Sequence, residues 1–400
     1  MTSRVSTAQA FDVPLQQLQR RQNELTEAQQ QLTTGKRVNR ASDDPTAAAR
    51  AERALATVSK VQANQRAVDA SRASMVQAES SLGDAGDLLQ RARELLVAAG
   101  DAAYGDSERK NIAGELRGIR DQLFAVANRD DGAGSFLFGG QGSAQAPFVD
   151  APGGVQFRGM AGATEVAGHE QLPLALDGGA AWLGARTGNG VFETRVITST
   201  GSAWIDAGSV VDPSAITGST YRIQFATTAG QTTYSVLKDG LATAQTNVPY
   251  AAGQAIQVDG MALTVSGTPA VGDDFEVRPS ASTLSVFDTM DKAIGDLSTA
   301  GKGGAQITQD SVMNLRNVDQ VMTRLSSTRA DTGGTLNRID SVTDRLGSLE
   351  LQGKTERSNA EDLDMVQAIS EFQSKQSGYD AALKSYAMVQ RLSLFQYLNN

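Results

Sequence analysis

Apolar residues recur at steps of three and four near both ends of the chain, and in alternation through its middle. Toward the N-terminus Leu15, Leu18, Leu25 and Leu32 fall on one heptad track, with Gln22 and Gln29 at the intervening positions. Toward the C-terminus Met365, Ile369, Phe372, Gln376, Tyr379, Leu383 and Tyr386 follow at strict four–three steps. Such spacing keeps one stripe on one face of a helix. The pattern predicts helices over about 5–34, 45–98 and 106–129, then 283–298, 304–349 and 357–398. Asp106 or Ser107 is the expected cap of the third, and Ser358-Asn359-Ala360-Glu361 reads as a capping box for the last. The final run, Leu392-Ser393-Leu394-Phe395-Gln396-Tyr397-Leu398, is apolar on nearly all sides and needs a partner.

Proline and glycine separate the ends from the middle. Seven of the nine prolines lie between Pro147 and Pro279, and 28 of the 40 glycines between Gly132 and Gly304. Neither residue suits a helix interior, so the flanks are predicted helical and the middle is not. Asn128 to Gly140 reads as a turn into a β-hairpin. Tyr221–Phe225, Thr233–Leu237, Ala255–Val258, Leu263–Ser266 and Asp274–Val277 read as strands of a small sandwich or barrel, with Asp259-Gly260 as a hairpin turn. Residues 147–200 form a second, weaker β patch. The expected class is α+β: a long antiparallel coiled-coil rod built by N- and C-terminal helices, with an inserted all-β middle region. The divisions are 1–44 with 350–400 as a coiled-coil inner domain, 45–145 with 281–349 as a helical rod domain, and 146–280 as a β domain.

Between the first two helices lies Leu32-Thr33-Thr34-Gly35-Lys36-Arg37-Val38-Asn39-Arg40-Ala41-Ser42-Asp43-Asp44-Pro45. Gly35 takes a left-handed conformation without penalty and can end the first helix. Asp44 can cap the second, and Pro45 suits its first position because the missing N–H would have had no partner there. The joint sets a basic cluster, Lys36, Arg37 and Arg40, against Asp43 and Asp44. A two-helix pair with one apolar stripe on each member buries only part of its surface and should seek neighbours.

Composition narrows the chemistry. The net charge of −9 argues against nucleic acid, whose phosphates need clustered Lys and Arg. There is no cysteine and one histidine, His169, so a thiolate site is impossible and a zinc site next to Glu170 lacks its second histidine. Gly295 to Gly303 echoes a phosphate loop around Lys302 but puts Gly303 where Ser or Thr is needed, and is read as a turn. Asp259, Asp273 and Asp274 are read as turn residues rather than calcium ligands. No apolar run approaches the ~20 residues of a membrane span, and Met1–Ala10 lacks a signal-peptide core. No cofactor, metal or catalytic residue is expected.

The stretch from Leu32 to Pro45 and the terminal heptad helix resemble the bacterial flagellin superfamily. Ile119-Arg120-Asp121-Gln122-Leu123, Phe136-Leu137-Phe138-Gly139-Gly140, Ala146-Pro147-Phe148 and the ending Leu392–Gln396 resemble its hook-associated branch. The run from Tyr221 to Val277 is similar to β modules inserted in such proteins. The resemblance covers about 1–160 and 283–400. It implies a structural, non-enzymatic part of the extracellular flagellum that joins hook to filament; the alternative is a flagellin, the filament subunit itself. It implies a ring of copies of the chain, set between the hook-side junction protein (hook-associated protein 1) and flagellin. It also implies type III export without a cleaved signal peptide, and an export chaperone beforehand. The assembly residues so expected are Leu18, Leu25, Leu32, Lys36, Arg37, Asn39, Arg40, Asp43, Asp44, Ile369, Phe372, Tyr379, Leu383, Tyr386, Leu392, Leu394 and Phe395.

Overall fold

The structure is a computed structural model describing residues 7–101, 103–142, 145–162, 165–166 and 171–398, with the backbone alone at 7–11, 165–166 and 389–398. The expected His169–Glu170 pair lies outside the described residues, and so do the side chains of Leu392, Leu394 and Phe395. Helices α1 (Thr7–Thr34), α2 (Pro45–Ala99) and α3 (Asp106–Ala127) open the chain. A short α4 (Gly178–Trp182) lies in the middle, and α5 (Val286–Ser298), α6 (Gly304–Glu361) and α7 (Met365–Leu398) close it. Middle strands between the helical flanks complete the expected α+β class.

Three boundaries differ from expectation. The chain does not break between 349 and 357: α6 runs on to Glu361. A side chain on Gly353 would come within 2.8 Å of the Val58 Cγ2 methyl, so this glycine permits close helix packing rather than ending a helix. Ser358 consequently caps nothing. Its hydroxyl bonds Asp362 one turn on, and the cap of α7 is Asp364, whose Oδ1 accepts from the N–H groups of Val366 and Gln367 at 3.0 and 3.1 Å. The cap position of α3 is Gly105, with Glu108 Oε2 reaching back to its N–H at 3.0 Å.

The chain divides into two compact units, Met1–Arg66 with Val342–Asn400 and Ala67–Ser341. In the first, α1 packs on α7, and the start of α2 packs on the end of α6 where Gly353 meets Ala54 and Val58. Glu350 of α6 accepts hydrogen bonds from Gln62 and Gln65 of α2 at 3.0 and 3.1 Å.

The second unit holds two hydrophobic clusters. One joins Leu82, Leu89 and Leu96 of α2, Leu116 and Leu123 of α3, Phe287 and Met290 of α5, and Val318, Val321 and Leu325 of α6. Into it project Phe138, Phe148 and Trp182, the last stacked on Phe287 with ring centres 5.8 Å apart. This explains the aromatic–glycine run at 136–140. Gly140 lies so close to Met160 that a Cβ would come within 1.7 Å of its carbonyl oxygen. The hairpin expected there is a single bridge, Asp130 to Phe136, because Gly139 and Gly140 pair instead with Asp177 and Met160.

The strands follow the sequence pattern more closely. A hairpin of β1 (Phe148–Ala151) and β2 (Gly154–Phe157) precedes a short pair, β3 (Glu165–Val166) and β4 (Leu172–Pro173). Next come β5 (Phe192–Thr198), β6 (Trp204–Ile205), β7 (Ser209–Val210), β8 (Tyr221–Thr228) and β9 (Gln231–Lys238). The series ends with β10 (Leu241–Ala242), β11 (Val248–Pro249), β12 (Ala255–Val258), β13 (Met261–Ser266) and β14 (Asp274–Pro279). One antiparallel sheet has the order β10-β9-β8-β14-β5, with β11 also on β9. A second has the order β12-β13-β6, with β7 also on β13. Side chains from both, among them Phe192, Ile205, Tyr221, Ile223, Leu263, Phe275 and Val277, form the second cluster. Asp259 and Gly260 turn the β12–β13 hairpin with φ of 37° and 79°, the left-handed pair that a two-residue hairpin requires. Strand β5 belongs to the main sheet, beside β14, and not to a separate patch at 147–200.

Candidate functional site

The joint at 32–45 does not stand alone: it is hydrogen-bonded to the break between α6 and α7, 323 residues away between Arg37 and Ala360. Gly35 ends α1 with φ +69°, and its N–H donates to Gln31 O at 2.9 Å. The chain then runs antiparallel to residues 361–363. The Arg37 N–H donates to Glu361 O at 2.7 Å, the Leu363 N–H donates to Gly35 O at 3.0 Å, and Lys36 faces Asp362.

Side chains lock this bridge. Arg37 Nη2 donates to Ala360 O at 2.9 Å, while Nη1 lies 3.5 Å from Asp44. Lys36 Nζ is 3.2 Å from Glu361 Oε1, which also receives Arg357 at 2.8 Å. Asn39 Nδ2 donates to Lys36 O at 3.3 Å. Asp43 Oδ2 accepts from the N–H groups of Arg40 and Asn39 at 2.8 and 3.1 Å, and Asp44 Oδ1 accepts from those of Ala47 and Thr46 at 3.0 and 3.1 Å. These backbone N–H groups hold both carboxyls below the ordinary aspartate range, Asp43 chiefly through Arg40 and Asp44 chiefly through Ala47. The expected basic cluster is therefore split. Lys36 and Arg37 bind the far end of the chain. The Arg40 side chain, which hydrogen-bonds to none of the described residues, lies on the rim of an open groove with Asn23, Glu27 and Gln30. The sequence reading missed Arg357, Ala360, Glu361 and Leu363. Asp362 and Asp364, flanking Leu363 between two apolar stripes, are the signal of a second break.

Every second position of the α1–α7 seam is shifted by one residue from the predicted track. On α1 Leu18, Leu25 and Leu32 are half-buried as expected, but their companion is Ala28, while Gln22, Gln29 and Leu15 are exposed. On α7 the half-buried set is Ala368, Phe372, Lys375, Gly378, Tyr379, Ala382 and Tyr386. Small residues bring the helices together: a Cβ on Gly378 would meet Arg21 Nη1 at 2.6 Å. Of the predicted stripe, Phe372, Tyr379 and Tyr386 are half-buried. Met365, Ile369 and Leu383 are more than 40 % exposed, as are Val366 and Met388.

The other candidate chemistries resolve into structure. Lys302 pairs with Asp310 and Asp296, and the Gly301 N–H donates to Asp106, so the phosphate-loop echo is an inter-helix turn. Asp259 receives Lys238 and Tyr221, Asp274 receives Arg222, and Asp273 receives the N–H groups of Thr200 and Ala270. Among the described residues no cluster of three or more His, Asp or Glu is arranged to hold a metal ion, and no helix is long and apolar enough to cross a membrane.

Comparisons with known proteins place the chain among flagellar proteins. The family profile of the bacterial flagellin N-terminal helical region matches residues 5–143, and that of the C-terminal helical region matches 315–398. The D2-like domain of flagellar hook-associated protein 1 matches 197–279, the two-sheet module. Flagellar hook-associated protein 3 of Salmonella typhimurium is 26% identical over 398 residues, covering 98% of this chain and 99% of its own. Its Escherichia coli counterpart is 25% identical, with the same coverage. A crystal structure of Xanthomonas campestris FlgL is 29% identical with a TM-score of 0.68, over 77% of this chain and 99% of its own.

Proposed function

The chain belongs to the bacterial flagellin superfamily, and from that premise we propose that it is a structural adaptor of the flagellum, joining hook to filament. In this reading copies of the chain form a ring, with hook-associated protein 1 on one side and flagellin on the other. The subunit is exported through the flagellar type III channel without a cleaved signal peptide, after a chaperone has held it in the cell. It performs no catalysis.

One observation carries the reading. The two ends of the chain form a helix pair that is half-finished, since α7 spends one apolar stripe on α1 and leaves Met365, Val366, Ile369, Leu383 and Met388 in water. Exposed apolar side chains gathered at two places on one helix, 365–369 and 383–388, mark protein–protein contacts. Its roles divide accordingly. Leu18, Leu25, Leu32, Phe372, Tyr379 and Tyr386 hold the pair together. Lys36, Arg37, Asn39, Asp43 and Asp44 hold the joint. Ile369 and Leu383 meet the neighbouring subunit, with Arg40 at the rim; Leu392, Leu394 and Phe395 are assigned to the same contact from the sequence alone. The domain scheme that suits this division is an inner pair at 1–44 and 350–400, a helical body at 45–145 and 281–349, and an outward β domain at 146–280.

The test is reconstitution followed by electron microscopy. Hook–basal bodies that lack this protein but carry the hook-side junction protein are incubated with it and then with flagellin. A short terminal layer, with flagellin growing only after it is added, is the expected result. Long filaments built by this protein alone would make it a flagellin.

A further inference from the structure

The β module and the helical half of its compact unit have separate hydrophobic clusters. Two connecting segments tie them side by side, with Leu284 N–H to Ala185 O at 2.9 Å and Thr187 N–H to Ala281 O at 2.9 Å. Beside these segments, α6 reaches the module through polar side chains. The place it reaches is the module's open side, where β5 ends one sheet and β6 ends the other. A terminal strand presents unpaired N–H and C=O groups, and these template association with other chains unless something covers them.

Gln309 covers β6. Its Oε1 accepts from the Ile205 N–H at 2.8 Å and its Nε2 donates to Ile205 O at 3.2 Å. This is the two-bond exchange that a residue of an antiparallel neighbour would make. Two helical turns on, and so on the same face, Arg316 covers β5. Its Nη1 donates to Thr194 Oγ1 at 2.9 Å and lies 3.4 Å from Thr194 O. The Thr194 hydroxyl donates in turn to Asp206 O at 2.7 Å, next to β6. Gln309 and Arg316 are each 7% exposed. Arg316 Nε and Nη2 find no hydrogen-bond partner among the described residues. A buried guanidinium satisfied on one corner is a poor source of stability, since an apolar side chain of similar volume would cost less. What it supplies and an apolar contact does not is a fixed direction.

We propose that Gln309 and Arg316 are positioning residues: two side chains of α6 stand in for a missing strand, close the module's open edge, and fix the angle at which the module stands on the helix. This holds whatever the module's outward partner is, and it does not rest on the assembly reading.

The chain has no cysteine, so spin labels can be placed at will. Leu241→Cys on the module and Lys110→Cys on α3 give one distance across the two halves, read by pulsed electron paramagnetic resonance on the full chain. The wild type should give one narrow distribution. The double variant Gln309→Ala/Arg316→Ala should broaden it while the amides of the module's central strands, β8 and β14, stay protected from exchange. In Gln309→Ala alone, exchange at the Ile205 amide should rise by about tenfold, the factor for one net hydrogen bond. A distribution as narrow in the double variant as in wild type overturns the proposal. Should the double variant fail to fold, the single Gln309→Ala decides: unchanged exchange at Ile205 overturns it as well.

Discussion

Replacing Ile369 with aspartate separates folding from assembly. The side chain is 46% exposed in the single chain, so just over half of it is already buried. Full burial of an isoleucine is worth ~1.5–3 kcal/mol, which puts the cost of Ile369→Asp to the helix pair at about 1 kcal/mol. In the proposed ring the other half of the side chain is lost too, again about 1 kcal/mol. The carboxylate must also leave water without a partner, which costs at least as much again. At 1.4 kcal/mol per tenfold, incorporation should fall by about thirtyfold or more. The assay pairs a thermal melt of the purified chain with quantitation of the protein on isolated flagella. Phe372→Asp is the control. That side chain packs within the pair, so both readouts should fall together. Normal incorporation and motility with Ile369→Asp would refute the idea that this stripe is the assembly surface.

The remaining expectations bear on the joint and the seam. Leu25→Asp and Leu383→Asp should leave the β module folded, seen as unchanged exchange protection of β8 and β14, yet abolish incorporation into flagella. Gly35→Ala and Gly140→Ala share a φ near +70° but differ in surroundings: nothing lies within 4 Å of a Cβ at 35, whereas at 140 it would strike the Met160 carbonyl. Gly35→Ala should therefore cost only the left-handed penalty of ~1 kcal/mol, and Gly140→Ala clearly more, by denaturant titration. The joint's carboxyls have folded pKa values below their unfolded ones. Their contribution is full above the unfolded value and lost as pH falls through the folded one, so amide protection at Thr46 and Ala47 should fade below about pH 4. Glu350, held at about 2 by Gln62, Lys354 and Gln65, should by the same sign keep its bonds further into acid, as carboxyl NMR titration would show.

Helices at both ends were legible because good helix formers and the scarcity of proline, Pro14 of α1 being an interior exception, act locally. The β12–β13 hairpin was legible for a similar reason, since Asp259-Gly260 specifies its turn. What escaped depends on distant contacts. On α7 Phe372, Tyr379 and Tyr386 lie where the pattern puts them, but the alternate positions fall one residue off because the contacts include Ala368, Gly378 and Ala382, which carry no hydrophobic signal, while larger neighbours remain in water. Gly353 fits against Val58 inside a continuous helix, and only the partner helix distinguishes that use from a break. The joint's own caps, Asp44 with Pro45 and Gly35, could be read directly. Its pairing with residues 360–363 could not, for backbone groups carry no side-chain pattern. Gln309 and Arg316 look like ordinary polar positions until the terminal strands they cover are known.

The bridge between Gly35–Arg37 and Glu361–Leu363 also dictates a sequence of events. Closing a free loop of 323 residues, the Arg37–Ala360 separation, carries an entropic cost of about 5 kcal/mol. That is more than a few short hydrogen bonds supply. Once the start of α2 has met the end of α6, with Gln62 and Gln65 on Glu350, the loop left to close is far shorter and the remaining cost is small. The ends must therefore zip last, whichever end of the chain is made available first. Anything that grips one terminus keeps both undone, yet leaves the folded middle untouched.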